Sequence, residues 1–197
     1  MDDNIVEVKR YRPFKQRWLV DSNLKKGDKI ILSGNIGEHG IALLSFIEGY
    51  GFDTRIKSDV APINGLIKDA MNEGGIVSAK DTTRGGLSNT INEFSEKSKI
   101  GIIIEEDNIP IPTGVRSACD MLGIDSLEIG NEGKVVLGVV EEKAEDVLSV
   151  IKKHPLGKNA AIIGEATGTV KGVVLQTTVG GKRILHKPLG DPVPRIC

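Results

Sequence analysis

Apolar residues follow two different spacings along the chain, and each spacing predicts a different element. Apolar runs of roughly four to eight residues between turns indicate strands, whereas apolar positions three or four residues apart indicate helices. We therefore expect strands at 29–33, 75–80, 101–106, 134–140, 160–165, 171–178 and 183–185. We expect helices at 41–49, 60–72, 87–97, 113–122 and 143–153.

The order of these elements predicts the fold class. From residue 27 onward it reads β-α-α-β-α-β-α-β-α-β-β-β, which is typical of an α/β or α+β sandwich with helices packed on one main mixed sheet. Residues 1–26 alternate basic and aromatic side chains between Lys9 and Lys15 without a core-forming period. We interpret 1–26 as a lead-in or linker and 27–186 as the folded domain.

The last eleven residues, KPLGDPVPRIC at 187–197, have a composition of their own. Three prolines and a glycine exclude a helix or an interior strand and favour an extended arm. At about 3.3 Å per residue such an arm spans roughly 35 Å. The sequence thus predicts a domain followed by a stiff tail that ends in the thiol of Cys197.

Composition narrows the classes of function. Apolar residues make up 39% and charged residues 27%, which is sufficient for a buried core. The net charge of −1 and the aromatic content of 4% argue against nucleic-acid binding, although the basic segment 9–15 leaves a small patch as an alternative. No apolar run approaches the roughly 20 residues of a membrane span, and the charged N-terminus lacks a signal-peptide core. We expect a cytoplasmic protein without a membrane partner.

Cysteine offers one candidate nucleophile and no metal site. The two cysteines, Cys119 and Cys197, are too few for a disulfide framework and have no zinc-ligand spacing. Cys119 lies among apolar residues of a predicted helix, so we expect it in the core. The neighbouring Arg195 favours a thiolate at Cys197, and the terminal carboxylate opposes it. A frayed terminus without a function is the alternative.

Three glycine-rich turns carry other polar candidates. The first is Asp81-Thr82-Thr83-Arg84-Gly85-Gly86, between a strand and a helix, where backbone amides at the helix start and the Arg84 guanidinium suit phosphate. Asp81 suits Mg²⁺ or a helix cap, and an ordinary capped turn is the alternative for the whole loop.

The second turn is Gly130-Asn131-Glu132-Gly133-Lys134, whose carboxamide, carboxylate and amine suit the orientation and deprotonation of an amide-like substrate. A hairpin turn with a solvated charge pair is the alternative. In the third turn, 33–40, His39 is a possible acid–base group or merely the start of a helix.

Six segments together resemble the HypE family of hydrogenase maturation proteins, over roughly residues 24–197. The segments are GEHGIA, SDVAPINGL (58–66), DTTRGGL, GNEGK, HPLGKNAAIIGE (154–165) and the terminal PRIC. The resemblance implies the fold of the PurM (AIR synthase-related) superfamily, which also contains selenophosphate synthetase and thiamine monophosphate kinase.

The resemblance also implies a reaction and partners. Members of the family receive a carbamoyl group on the C-terminal cysteine from HypF and dehydrate the thiocarboxamide to a thiocyanate with ATP and Mg²⁺. The cyanide passes to iron on the HypC–HypD complex, and the full-length proteins form homodimers. The implied roles here are Cys197 as acceptor, Glu132 as base, Asn131 and Lys134 as orienting and charge-binding groups. Asp81, Thr83, Arg84, Gly85 and Gly86 would face the nucleotide phosphates, with His39 a weaker candidate.

The family also has an N-terminal domain of comparable size that binds most of the ATP and Mg²⁺. Residues 1–23 do not resemble it. We therefore expect a fragment, a truncated protein, or a chain that works with a separate N-terminal partner. A non-catalytic carrier of Cys197 and a small-molecule kinase of the same superfamily are the alternative functions.

Overall fold

Seven strands form one mixed sheet in a computed structural model that describes residues 2–16, 18–50 and 56–189. The strands are β1 Lys29–Leu32, β2 Ile76–Asp81, β3 Gly101–Glu105, β4 Val135–Val139, β5 Ala161–Thr167, β6 Val173–Gln176 and β7 Lys182–Ile184. The helices are α1 Asp2–Tyr11, α2 Glu38–Glu48, α3 Asn64–Glu73, α4 Gly86–Ser98, α5 Thr113–Leu122 and α6 Ala144–Lys153. From residue 27 onward, the predicted order of strands and α-helices is confirmed.

The strand order is β2-β4-β1-β5-β3-β6-β7, with β3 and β6 parallel and the other neighbours antiparallel. Leu32 pairs with Val136 and with Ala161, and Asp81 pairs with Val135. The carboxyl ends of β1 and β2 therefore lie at the same end of the sheet as the beginnings of β4 and β5. This register gathers the turns after β1 and β2 with the turns before β4 and β5.

Strand alternation divides the core between the two faces of the sheet. In β1, Ile31 packs in a cluster with Leu66 of α3 and Ile151 of α6, whereas Ile30 and Leu32 pack with Leu87, Ile91 and Phe94 of α4. Helices α3 and α6 thus cover one face and α4 covers the other, since successive strand residues point to opposite faces. The predicted sandwich of helices on a mixed sheet is confirmed.

Residues 1–26, which we interpreted from the sequence as a lead-in or linker, contribute a helix and buried side chains to the core. Residues 2–11 form α1, and Val8, Phe14 and Leu24 are buried in the main core cluster. The side chain of Asn4 also pairs with both backbone groups of Ile76, at 2.8 Å to its oxygen and 2.7 Å to its nitrogen. The few apolar residues here lie between charged ones, so no periodic pattern marks the helix.

A third cluster joins α2 and α5 beside the sheet. It contains Ile41, Val115, Ala118, Cys119 and Ile129. The expectation that Cys119 belongs to the core is confirmed. Burial raises the pKa of its thiol to about 11, so the buried thiol is neutral near pH 7.

Candidate functional site

Asn131 joins three of the loops that the sheet gathers. Its Oδ1 accepts the amide hydrogen of Gly37 at 2.7 Å, and its own backbone N–H donates to the carbonyl oxygen of Thr82 at 3.1 Å. Its Nδ2 donates to the carbonyl oxygen of Ile129 at 2.9 Å, and the residue is fully buried. A side chain enclosed in this way holds the loops together. The role of Asn131 in orienting a substrate amide stays a prediction.

The Gly37 end of this contact depends on glycine. Gly37 has a φ of 84°, in the left-handed region, and a Cβ there would lie 2.5 Å from Val115 Cγ1. A residue with a side chain would be strained in this conformation and would overlap α5. The loop after β1 thus packs closely on α5 because it carries no side chain at this point.

Glu132 lies beside Asn131 and is half-buried. Its backbone N–H donates to Oδ1 of Asp59 at 3.2 Å. Within the described ranges, its carboxylate accepts no hydrogen bond and forms no ion pair. The backbone of Glu132 is held, while its carboxylate is left available as a base.

Lys134, the last residue of the turn, forms a buried ion pair. Its Nζ lies 3.0 Å from Oδ2 of Asp59, with side-chain exposures of 10% and 2% for the lysine and the aspartate. Its stem lies against Gly34 in the loop after β1. The carboxylate of Asp59 therefore compensates the positive charge of Lys134. From the sequence we expected this charge to bind a ligand.

An open cavity of about 390 Å³ adjoins this ion pair. Its charged lining residues come from several loops: Glu38, Lys57, Asp59, Lys134 and Lys158. Three cations and two carboxylates leave the lining with one formal positive charge. The cavity thus reaches the Asn131–Lys134 turn through Lys134.

The Asp81–Gly86 turn meets the same junction through Thr82, whose carbonyl binds Asn131. One amide at the start of the α4 helix that follows is engaged by protein, because Ser88 N–H donates to the carbonyl oxygen of Leu127 at 2.8 Å. A Cβ on Gly86 would lie 2.6 Å from that oxygen and 2.5 Å from the carbonyl oxygen of Ile129. The Ser88 amide is thus not available to a phosphate, and binding of a phosphate by the other amides of this turn stays a prediction.

The polar side chains of this turn remain at its surface. Asp81 and Arg84 are exposed, and Oδ2 of Asp81 accepts a hydrogen bond from Thr83 Oγ1 at 2.9 Å. The nucleotide-binding prediction for this turn therefore rests on these side chains and on its other amides. It stays a prediction.

The base of the C-terminal arm runs along α4 toward this turn. Asn92 Nδ2 donates to the carbonyl oxygen of Leu185 at 3.0 Å, and Ser88 Oγ donates to that of His186 at 2.5 Å. Pro188 then lies against Gly85, where a Cβ would come within 3.3 Å of it. Leu185, His186 and Pro188 thus meet α4 at Asn92, Ser88 and Gly85, progressively nearer to its first turn. Cys197 lies outside the described residues.

His39 lies in the first turn of α2, and its Nδ1 is 2.8 Å from Ser58 Oγ. Its Nε2 is buried and has no hydrogen-bond partner among the residues that the structure describes. One ring nitrogen is thus fixed by the loop that carries Asp59. The acid–base role of His39 stays a prediction.

No group of three or more histidine, cysteine, aspartate or glutamate residues in the described part of the chain has the arrangement of a metal site.

Among the described helices, none is both long enough and apolar enough to cross a bilayer.

The residues that match a known family model are 25–176, and the model is that of the AIR synthase related protein, C-terminal domain. The chain belongs to the AIR synthase-related family.

Two relatives show which proteins of known name the chain is similar to. A putative hydrogenase expression/formation protein of Methanocaldococcus jannaschii is 57% identical over 178 residues, which cover 90% of this chain and 53% of that protein. The carbamoyl dehydratase HypE of Escherichia coli is 40% identical over 174 residues, covering 88% and 52%.

Solved structures of the AIR synthase-related type agree with this placement. The crystal structure of a HypE–HypF complex matches with a TM-score of 0.82 and 45% identity over 85% of this chain and 55% of that chain. A HypE in complex with ATP matches with a TM-score of 0.84 and 35% identity over 90% and 55%. The resemblance to a PurM-like C-terminal domain of HypE is confirmed. The chain spans about half the length of the relatives it matches.

The structure thus brings Asn131, Glu132 and Lys134 together with the Asp81–Gly86 turn. It adds Asp59, Thr82 and Gly37, to which the sequence assigned no role. The only signal for Asp59 was its place in the SDVAPINGL segment that carries the family resemblance.

Proposed function

We propose that this chain is the part of a carbamoyl dehydratase that carries the acceptor cysteine and the base of the dehydration. The supporting observation is the course of the arm, which follows α4 to the turn whose Thr82 binds Asn131. Cys197 is eight positions beyond Leu189, and a chain of that length spans at most roughly 29 Å. The arm thus starts at the Asp81–Gly86 turn, which is bonded through Thr82 to the turn that contains Glu132.

The proposed reaction has two stages. In the first, the Cys197 thiolate attacks the carbon of a carbamoyl donor, a carbon–sulfur bond forms, and the donor leaves. In the second, the carbamoyl oxygen takes the γ-phosphoryl group of ATP while the nitrogen loses one proton. Loss of the second proton, with cleavage of the carbon–oxygen bond and release of phosphate, gives the thiocyanate.

The residues of the turn suit the second stage. Glu132 is the proposed base, because its carboxylate is not engaged by other described residues and its backbone is held. Asn131 fixes the three loops, and Lys134 anchors the end of the turn through its ion pair with Asp59. These contacts hold the base in one position before the substrate arrives, which lowers the cost of reaching the reactive geometry.

We assign part of the nucleotide-binding site to this chain. Arg84, Asp81 and Thr83 at the exposed turn after β2 are the proposed contacts to the phosphates, since a guanidinium fork suits a phosphate oxygen pair. A solved relative binds ATP. Mg²⁺ would accompany the nucleotide, and we assign most of its ligands, and those of ATP, to the half of the relatives that this chain does not span.

One proposed partner is supported by a relative, and the others follow from the family resemblance. HypF is the proposed carbamoyl donor, and a HypE–HypF complex of similar fold is known. The HypC–HypD complex is the proposed cyanide acceptor, and a homodimer is proposed for the full-length assembly. A carrier of Cys197 without dehydratase activity is the second candidate, and the mass measurement below separates it from the dehydratase.

The test is the intact mass of the chain after incubation with HypF, carbamoyl phosphate and ATP, with Cys197→Ala as control. Gain of one carbamoyl group that ATP then converts to a cyano group supports the dehydratase. A carbamoyl adduct that persists with ATP supports the carrier. If no mass change depends on Cys197, both functions are wrong and the kinase alternative becomes the one to test.

A further inference from the structure

Asp59, in the segment Ser58-Asp59-Val60, has so far served only as the ion-pair partner of Lys134, although it contacts every residue of the turn from Glu132 to Lys134. We propose that Asp59 is a positioning residue that holds Glu132 in place for proton removal. This inference rests on the proposed dehydratase function. It concerns a residue from a different loop, 73 positions away from Glu132 in the chain.

Three contacts to three successive residues carry the inference. Oδ1 of Asp59 accepts the amide hydrogen of Glu132 at 3.2 Å, and Oδ2 lies 3.0 Å from Nζ of Lys134. Between them, Gly133 packs so closely on Asp59 that a Cβ would lie 1.9 Å from its carbonyl oxygen. Asp59 thus contacts the proposed base Glu132, the following Gly133 and the cation of Lys134.

Asp59 is itself held from the opposite side. Oγ of the preceding Ser58 accepts the amide hydrogen of Val60 at 3.2 Å and lies 2.8 Å from Nδ1 of His39. His39 belongs to the first turn of α2, next to Gly37, which binds Asn131. The segment therefore links the rigid start of α2 to the backbone of the base.

Because the Asp59 side chain is buried, loss of its carboxylate has a large energetic cost. The Asp59 side chain is 2% exposed, so its charge is separated from water and compensated by Lys134. Removing the carboxylate leaves the lysine charge and the Glu132 amide without their partner. Because the Glu132 carboxylate has no other anchor among the described residues, its position depends on its backbone. A displaced base slows proton transfer while substrate binding is preserved.

Two variants at position 59 separate these effects. Asp59→Ala removes both contacts, whereas Asp59→Asn keeps an oxygen for the Glu132 amide and loses the charge opposite Lys134. Asp69→Ala is the matched control, because Asp69 is an exposed aspartate of α3. All are made in the full chain and loaded by HypF with carbamoyl phosphate.

We expect Asp59→Ala to lower the rate constant of ATP-dependent dehydration roughly ten- to hundredfold, the scale of a misplaced catalytic group. Loading of Cys197 by HypF and the KM for ATP should stay within about twofold of the unmodified chain. Asp59→Asn should recover part of the rate, and Asp69→Ala should match the unmodified chain. Equal losses of loading and dehydration in Asp59→Ala, or an unchanged dehydration rate, would overturn the inference.

Hydrogen exchange distinguishes failure of this inference from failure of the dehydratase proposal. The Glu132 amide should exchange faster in Asp59→Ala than in Asp59→Asn, while the Asn131 amide, bound to Thr82, stays protected. If the unmodified chain is loaded but never dehydrated, the dehydratase proposal is wrong for the chain alone. Unchanged Glu132 exchange in Asp59→Ala would show that Asp59 does not hold the base, whatever the chemistry.

Discussion

The hydroxyl of Ser88 donates a hydrogen bond of 2.5 Å to the carbonyl oxygen of His186, so the C-terminal arm begins on the first two turns of α4. Asn92, one turn further along the helix, holds Leu185 in the same way. Lys187 adds an ion pair of 2.6 Å with Glu96. The two α4 side chains fix the direction in which the arm leaves the domain.

The double variant Ser88→Ala/Asn92→Ala should therefore separate the two stages of the proposed reaction. Loss of the bonds frees the arm base and lowers the effective concentration of the thiol at its own site. At about 1 kcal/mol for the net loss, we expect dehydration to slow roughly fivefold. Loading by HypF should not slow, because a partner approaches the arm from solution. The measurement is the time course of carbamoyl and cyano adducts by intact mass.

Ser149→Ala, on an exposed position of α6, controls for a general effect of serine removal. If the double variant slows loading and dehydration equally, the contacts stabilise the domain and do not direct the arm.

Gly133→Ala should destabilise the fold through its contact with Asp59. The added methyl would lie 1.9 Å from a backbone oxygen, which no side-chain rotation can relieve. We expect a loss of roughly 1–3 kcal/mol in the free energy of unfolding, measured by urea denaturation. Gly168→Ala is the control, because a Cβ there would meet only the end of Lys26 at 3.9 Å. Equal stability of the two variants would show that the turn yields without cost.

Local patterns predicted the elements well, because strands such as β3 and helices such as α6 carry their own apolar period. The same patterns could not predict which turns meet. Asp59 contacts Glu132 across 73 residues, and Asn4 contacts Ile76 across 72. Such contacts depend on strand order, which the pattern does not encode.

The expectation that backbone amides of the Asp81–Gly86 turn bind phosphate shows the same limit of local sequence patterns. The two glycines of the Asp81–Gly86 turn are typical both of loops that bind phosphate and of loops that approach other backbone closely. Here Gly86 approaches the carbonyl oxygens of Leu127 and Ile129, from a segment about forty residues later in the chain. Only the fold distinguishes the two uses of glycine.

Asn4→Ala should be among the more costly polar substitutions in the N-terminal segment. The fully buried Asn4 side chain supplies one donor and one acceptor to Ile76 at the end of the sheet, at β2. Alanine leaves both backbone groups without these partners, so we expect a loss of roughly 2–4 kcal/mol in the free energy of unfolding. Urea denaturation measures it, with the exposed Asn72→Ala as control. A loss as small as that of the control would mean that water replaces Asn4 at no cost.

Cys119 and Cys197 should differ sharply in reactivity toward a thiol reagent at pH 8. The thiolate is the reactive form, and burial raises the pKa of Cys119 to about 11, so this thiol is both neutral and enclosed. We expect labelling of Cys197 alone in the native chain, no labelling of native Cys197→Ala, and labelling of both cysteines in urea. Peptide mass spectrometry identifies the labelled residue.

The raised pKa of Cys119 also predicts a loss of stability at high pH. In the unfolded chain the Cys119 thiol loses its proton near its ordinary pKa of 9.0, and in the folded chain only near 11. The stabilisation is therefore complete below pH 9 and is lost as the pH rises toward 11, because the unfolded state ionises first. Urea midpoints should fall over this interval for the unmodified chain and fall less for Cys119→Ala. Parallel curves for the two proteins would contradict the prediction, since groups common to both would then account for the whole alkaline slope.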